Sequence, residues 1–133
     1  YISYLNYSYD DLVYQIMLQQ YDFKNTGIQT SEEYKSSYLT YLKKSFNIKS
    51  TEDTIIDSKK GFEIKMFSLE YPEEYYISYV VLDDDYVYII MYFTAFDENV
   101  KDYDIHLSSF ETNVSKYQKT ITFTKENSNV ITD

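Results

Sequence analysis

Two periods run through this chain, one of two residues and one of about 3.6, and their order predicts its architecture. Residues 1–9 alternate tyrosines and aliphatics loosely with Ser and Asn, a pattern that suits a strand without excluding a helical turn. In 12–21, Leu12, Tyr14, Ile16 and Leu18 fall on one face of a strand and Val13, Gln15, Met17 and Gln19 on the other. A polar connection, 22–29, follows. Thr30 then opens a helix: Glu33 stands three residues on in the capping-box spacing, and Tyr34, Tyr38, Tyr41, Leu42 and Phe46 form one apolar stripe. Lys43 and Lys44 suit the negative end of that helix's dipole.

Residues 51–57 and 62–71 read as a hairpin turning through Asp57-Ser58-Lys59-Lys60-Gly61. In its second arm Phe62, Ile64 and Met66 alternate with Glu63 and Lys65, after which Phe67, Leu69 and Tyr71 take the other parity, which points to a bulge. Pro72 ends that strand because it has no N–H for a ladder. The most apolar runs, 75–82 and 86–96, are separated by three aspartates and should pair as a central hairpin. Both parities of 86–96 are apolar, which fits a strand covered on both sides, or one with a buried face and an aromatic-lined face. Asp97-Glu98-Asn99 reads as an acidic helix start, and Val100, Tyr103, Leu107 and Phe110 recur at helical spacing toward Tyr117. Residues 120–124 suit a short edge strand and 125–133 a frayed tail. The sum is an α+β fold, an antiparallel sheet packed against two main helices, in one domain spanning 1–133 with its core in about 12–118.

Composition narrows the functional classes. At 133 residues the chain is long enough for one core, and 44% apolar content argues for folding despite a net charge of −10. The aromatics are 18 tyrosines and 8 phenylalanines with no tryptophan, so much of the buried area carries a hydroxyl that needs a partner. With 2 glycines and 1 proline there is no Gly-rich phosphate cradle, and no cofactor is expected. All 12 basic residues are lysines and the pI is near 4.4, so nucleic acid is excluded as the expected partner. Without cysteine there are no disulfides or thiolate metal sites. No stretch is apolar for long enough to span a membrane. Because the first residue is Tyr1, a signal peptide, a lipid anchor or a further domain is expected upstream.

Candidate chemistry is sparse. Asp83-Asp84-Asp85 invites a calcium reading, but the glycine and ligand spacing of a calcium loop are missing and a solvated turn fits better. Glu70, Glu73 and Glu74 invite an acid–base pair, yet clusters arise by chance in so acidic a chain. His106 is the sole histidine, so neither a triad nor a multi-histidine metal site can be assembled. Catalytic, metal and cofactor sites are therefore all expected to be absent. The tyrosines of the central hairpin, Tyr75, Tyr76, Tyr79, Tyr86, Tyr88 and Tyr92, are the candidates for an exposed aromatic partner-binding patch.

Several pieces together resemble the Mog1/PsbP-like fold, especially the small PsbP-like or DcrB-like bacterial lipoproteins. They are Thr30-Ser31-Glu32-Glu33-Tyr34 opening the first helix, Lys60-Gly61-Phe62 before an alternating strand, the hairpin over 75–96, and Leu107-Ser108-Ser109-Phe110 closing the last helix. The resemblance covers about 12–110; this chain lacks the Pro and the Trp of the family's opening Phe-x-Ile-x-x-Pro-x-x-Trp-like element, so residues 1–9 stand in for it or it lies upstream. It implies a non-enzymatic, extracytoplasmic module at the cell surface or outside the cell that binds or helps assemble other proteins, and it carries over no active site. The alternative from composition alone is a cytoplasmic inhibitor or immunity protein whose acidic surface neutralises a basic toxin or nucleic-acid-binding partner.

Overall fold

The structure, a computed structural model, describes the backbone of residues 2–9, 12–20, 30–83, 86–95, 101–124 and 130–132, and the side chains of 30, 32–82, 87–95 and 101–122. Six strands form one sheet: β1 (Ile2–Tyr9), β2 (Leu12–Gln20), β3 (Phe46–Ile56), β4 (Lys59–Ser68), β5 (Glu74–Asp83) and β6 (Tyr86–Ala95). Their order across the sheet is β1-β2-β6-β5-β4-β3, and every neighbouring pair is antiparallel. Helix α1 (Ser31–Leu42) lies between β2 and β3 in the chain, and α2 (Tyr103–Gln118) follows β6. The chain thus lays down one edge hairpin, crosses to the far edge, and meanders back through β3, β4 and β5 until β6 closes against β2.

The two helices cover opposite faces of the sheet. Tyr34 and Leu42 of α1 are buried with Phe62, Ile64, Met66, Val80, Val87 and Ile89. On the other face Phe110, Val114 and Tyr117 of α2 are buried with Tyr75, Ile77, Tyr79, Val81, Tyr88, Ile90 and Tyr92. Successive residues of β5 and β6 therefore enter alternate layers, and both layers are apolar because both are covered. Of the two arrangements open for 86–96, residues 87–92 adopt the doubly covered one.

Local chemistry sets the element ends. The Glu33 N–H donates to Thr30 Oγ1 at 3.1 Å, so the expected cap closes the start of α1. That helix ends at Leu42, earlier than its apolar stripe predicted, and Phe46 is the first residue of β3. Tyr41 is also off the buried stripe, 65% exposed. In α2 the helix runs past Phe110 to Gln118, so Leu107-Ser108-Ser109-Phe110 lies inside it and does not close it. The start expected at 97–99 lies outside the described residues; Asp102 is the residue preceding the helix.

The parity change after Met66 needs no bulge. β4 pairs regularly with β5 from Gly61 to Phe67, and Phe67 lies against the α2 layer, an apolar layer in its own right. The bulge sits in β3 instead, where the pairing with β4 shifts between Ile48 and Ser50. At the tail, Val130–Thr132 is not frayed: it pairs antiparallel with Thr122–Thr124 in a separate two-stranded ribbon. Residues 120–124 consequently do not join the main sheet.

The β3–β4 turn is tighter than expected. Only Asp57 and Ser58 connect the strands, with φ of 50° and 63°. Two positive angles in a two-residue loop mark a type I′ turn, whose twist matches that of the strands. Asp tolerates this conformation and Ser does so at a cost. Gly61, already within β4, is needed for a different reason: a Cβ there would overlap the Val80 carbonyl oxygen of β5. Urea denaturation should show opposite signs at these two positions. Ser58→Gly should gain about 1 kcal/mol and Gly61→Ala should lose about 1–3 kcal/mol; a neutral Gly61→Ala would contradict the close approach of β5.

Candidate functional site

The central tyrosines do not form a surface. Tyr75, Tyr79, Tyr88 and Tyr92 are at most 2% exposed, all in the layer beneath α2, and they cannot serve as a partner-binding patch in this fold. Tyr76, on the opposite layer, is half-buried, with Phe46 and Phe93 each 5.2 Å away between ring centroids. The Tyr86 side chain lies outside the described residues. The expectation missed a physical solution for a tyrosine core: the rings pack inside while the Tyr75, Tyr76 and Tyr79 hydroxyls reach carboxylates at the margin.

Those bonds form a polar seam beside the α2 layer. The Tyr79 hydroxyl donates to Glu63 Oε2 at 2.6 Å, and Glu63 is the residue directly across the β4–β5 ladder from Tyr79. The Tyr75 hydroxyl donates to Glu111 Oε2 at 3.0 Å, and Lys65 Nζ stands 2.9 Å from the same oxygen. β4 thus contributes Glu63 and Lys65 to one face and Phe62, Ile64 and Met66 to the other, as its alternation dictates. The Tyr76 hydroxyl donates to Glu74 Oε1 at 2.9 Å. Register, in which Glu63 faces Tyr79, is the signal that would have placed this seam in advance.

The electrostatics follow from burial. Desolvation, with the neighbouring Glu63 and Glu111 carboxylates added to it, pushes the Tyr79 and Tyr75 hydroxyls far above the usual phenol range. Burial likewise raises Tyr76 to about 12, helped by its bond to Glu74, and Tyr38 to about 12, helped by Tyr41. For Lys65 burial works against the ammonium, but Glu111, with Glu63 and Glu52 behind it, outweighs that and the pKa is raised. The seam is a set of satisfied bonds: the Tyr75, Tyr76 and Tyr79 hydroxyls each already hold their proton for a carboxylate, which leaves no activated nucleophile among these three.

The acidic candidates disperse. Glu70 and Glu73 are exposed in the β4–β5 loop, and Glu74 opens β5 with the Tyr76 hydroxyl on it. Asp83 pairs with Tyr86 across the central turn, while Asp84 and Asp85 lie outside the described residues. His106 is exposed on the first turn of α2. Among the described residues no three acidic, histidine or cysteine side chains are grouped to hold a metal ion, and no helix is long and apolar enough to cross a membrane.

The surface is more informative at β3. Exposed large apolar residues stand at both ends of this edge strand. Tyr41, in the last turn of α1, and Leu69 and Tyr71, in the β4–β5 loop, lie at its start, where the Leu69 N–H donates to the Ser45 carbonyl at 3.0 Å. Ile55, 65% exposed, lies at its end. Beside Ile55 a groove of about 710 Å³ opens between the first turn of α1 and the hairpin, with Phe62, Leu82, Lys35, Asp53 and Lys60 among its walls. Lys35 bridges this groove, 3.2 Å from Asp53 Oδ1 and 5.6 Å above the Phe62 ring.

An antiparallel sheet with one helix layer on each face, ordered in this way, is a PsbP-like α+β fold. It superposes on PA94 of Pseudomonas aeruginosa, a protein of unknown function described as a candidate regulator, with a TM-score of 0.66 over 93% of this chain and 83% of that one, at 11% identity. It superposes on cyanobacterial PsbP (CyanoP) from Synechocystis with a TM-score of 0.50 over 79% of this chain and 65% of that one, at 13% identity. At such identities the likeness is one of fold. No protein-family model and no curated protein sequence matches the chain.

The raised hydroxyls give a pH prediction. Each keeps its proton to higher pH in the folded chain than in the unfolded one, so the stability it contributes is complete below about pH 10. Above that the unfolded chain releases protons that the folded chain retains, and stability falls as pH climbs through the folded values, about 12 for Tyr38 and Tyr76. Tyrosinate absorbance followed with circular dichroism should show an early fraction of tyrosines ionising with the fold intact and the rest only as it unfolds. A single transition near the ordinary phenol value, with the fold retained, would contradict the buried seam.

Proposed function

We propose that the domain is a non-enzymatic protein-binding or assembly module that works outside the cytoplasm. One observation supports the binding role above others: exposed Tyr41, Leu69, Tyr71 and Ile55 border the edge strand β3, whereas Tyr75, Tyr79, Tyr88 and Tyr92 are folded inward. Exposed aromatics beside an unpaired strand are the composition of a contact surface. The seam of internally bonded hydroxyls fits a role that needs no reacting group. Export rests on the PsbP-like likeness and on nothing in the geometry.

The inhibitor alternative requires a broad face of one sign. Lys35 with Asp53, Lys59 with Asp57 and Lys65 with Glu111 instead set cations among the carboxylates of β3, β4 and their helices. That mixture favours the binding module over nucleic-acid mimicry.

The test uses the full-length gene product, tagged, fractionated from its native host and cross-linked in place. It should appear outside the cytoplasm and cross-link to a protein partner, and the triple variant Tyr41→Ser, Leu69→Ser, Tyr71→Ser should lose that partner while melting like the parent. A cytoplasmic location would remove the export half of the reading, and absence of any partner would remove the binding half.

A further inference from the structure

The edge strand β3 specifies how a partner is held. Nothing among the described residues pairs with its outer side, although it runs for 11 residues, about twice the usual strand length. Proteins blunt such edges with bulges, lysines or prolines. Here the bulge at Lys49 breaks the half that starts at Phe46, with the Lys49 ammonium 5.5 Å from the Phe67 ring. The other half, Thr51 to Ile56, pairs regularly with β4 and has no bulge, proline or lysine. It therefore retains a straight row of outward N–H and C=O groups.

Amid the mixed charges of this edge, one like-charge pair stands out. Glu52 is exposed and stands directly across the ladder from Glu63, an unfavourable like-charge pair. Lys65 feels both carboxylates but is bonded to Glu111. A positive side chain on an added strand, next to Glu52, would relieve the repulsion. Three residues further along β3, on its other face, exposed Ile55 at the rim of the groove would take an apolar side chain. A second copy of this chain fits poorly, because antiparallel pairing centred on the regular half sets Glu52 opposite Ile55 and Asp53 opposite Thr54, which brings no cation to either carboxylate and leaves the Glu52–Glu63 repulsion in place.

We propose that Thr51 to Ile56 is a strand-addition site for an extended segment of a partner protein, one that carries a basic residue beside Glu52 and an apolar residue at the Ile55 groove. The proposal rests on the protein-binding reading above and gives it a mode. Backbone hydrogen bonds would supply the hold and the charge and groove the selection.

The test is a charge swap on the full chain. Two synthetic peptides of about eight residues alternate Val and Thr, with a central Lys in one and Glu in the other. The Lys peptide should bind saturably, weaken roughly tenfold on Glu52→Lys, and lose binding when alternate backbone amides are N-methylated; the Glu peptide should show the opposite preference. Glu52→Lys removes a like-charge pair, so its fold should survive, and a thermal melt checks this. Equal binding of both peptides, indifference to N-methylation, no saturable binding, or a dimer through β3 in place of peptide binding would each overturn the proposal. The native partner separates the two levels. If Glu52→Lys cross-links to it as well as wild type does, strand addition fails while the binding module stands; if wild type captures no partner, the broader reading fails.

Discussion

Burial of the β5–β6 hairpin on both faces is the constraint from which the rest of this fold follows. A strand with both sides covered has no solvent-facing parity, so the residues from Tyr75 to Leu82 are apolar or aromatic apart from the small buried Ser78. The chain uses tyrosine where other proteins use leucine or phenylalanine, and that choice dictates where charge goes. A buried phenol needs an acceptor, and the nearest come from β4 and α2, as Glu63 and Glu111. Lys65 then has to be where it is, because Glu111 carries a charge at the margin of an apolar layer. Two helices, one per face, are the minimum that closes both layers.

Much of this was legible in the residues because each signal was local. Thr30 and Glu33 mark a helix start through a bond that both make at short range, and the apolar runs on either side of Asp83 fold back on each other as any two strands so connected would. The PsbP-like order of elements followed from those pieces. The rest depended on long-range facts. Whether Tyr79 faces water is decided by α2, more than twenty residues later, and no periodicity in the hairpin carries that information. The parity change at Phe67 looked like a bulge because a strand with one covered face would need one; with two covered faces it needs none. Tyr-rich patterning is ambiguous in the same way, since one side chain serves both a core and an interface.

Function, on this account, has moved from the centre of the sheet to its β3 edge. The inward tyrosines give stability and a single register, and they leave the edge strand β3, with Tyr41, Leu69, Tyr71 and Ile55 around it, as one part of the described surface where backbone and apolar groups remain to be covered together. The PsbP-like likeness concerns fold alone and is compatible with any contact made at that edge.

The central claim is that the hairpin tyrosines are interior. Acetylation of tyrosine hydroxyls in the native protein, mapped residue by residue by mass spectrometry, tests it most directly. Tyr41 and Tyr71 should react readily, and Tyr75, Tyr79, Tyr88 and Tyr92 should stay protected until the protein is unfolded; native-state modification of Tyr79, Tyr88 or Tyr92 at the rate of Tyr71 would contradict the account.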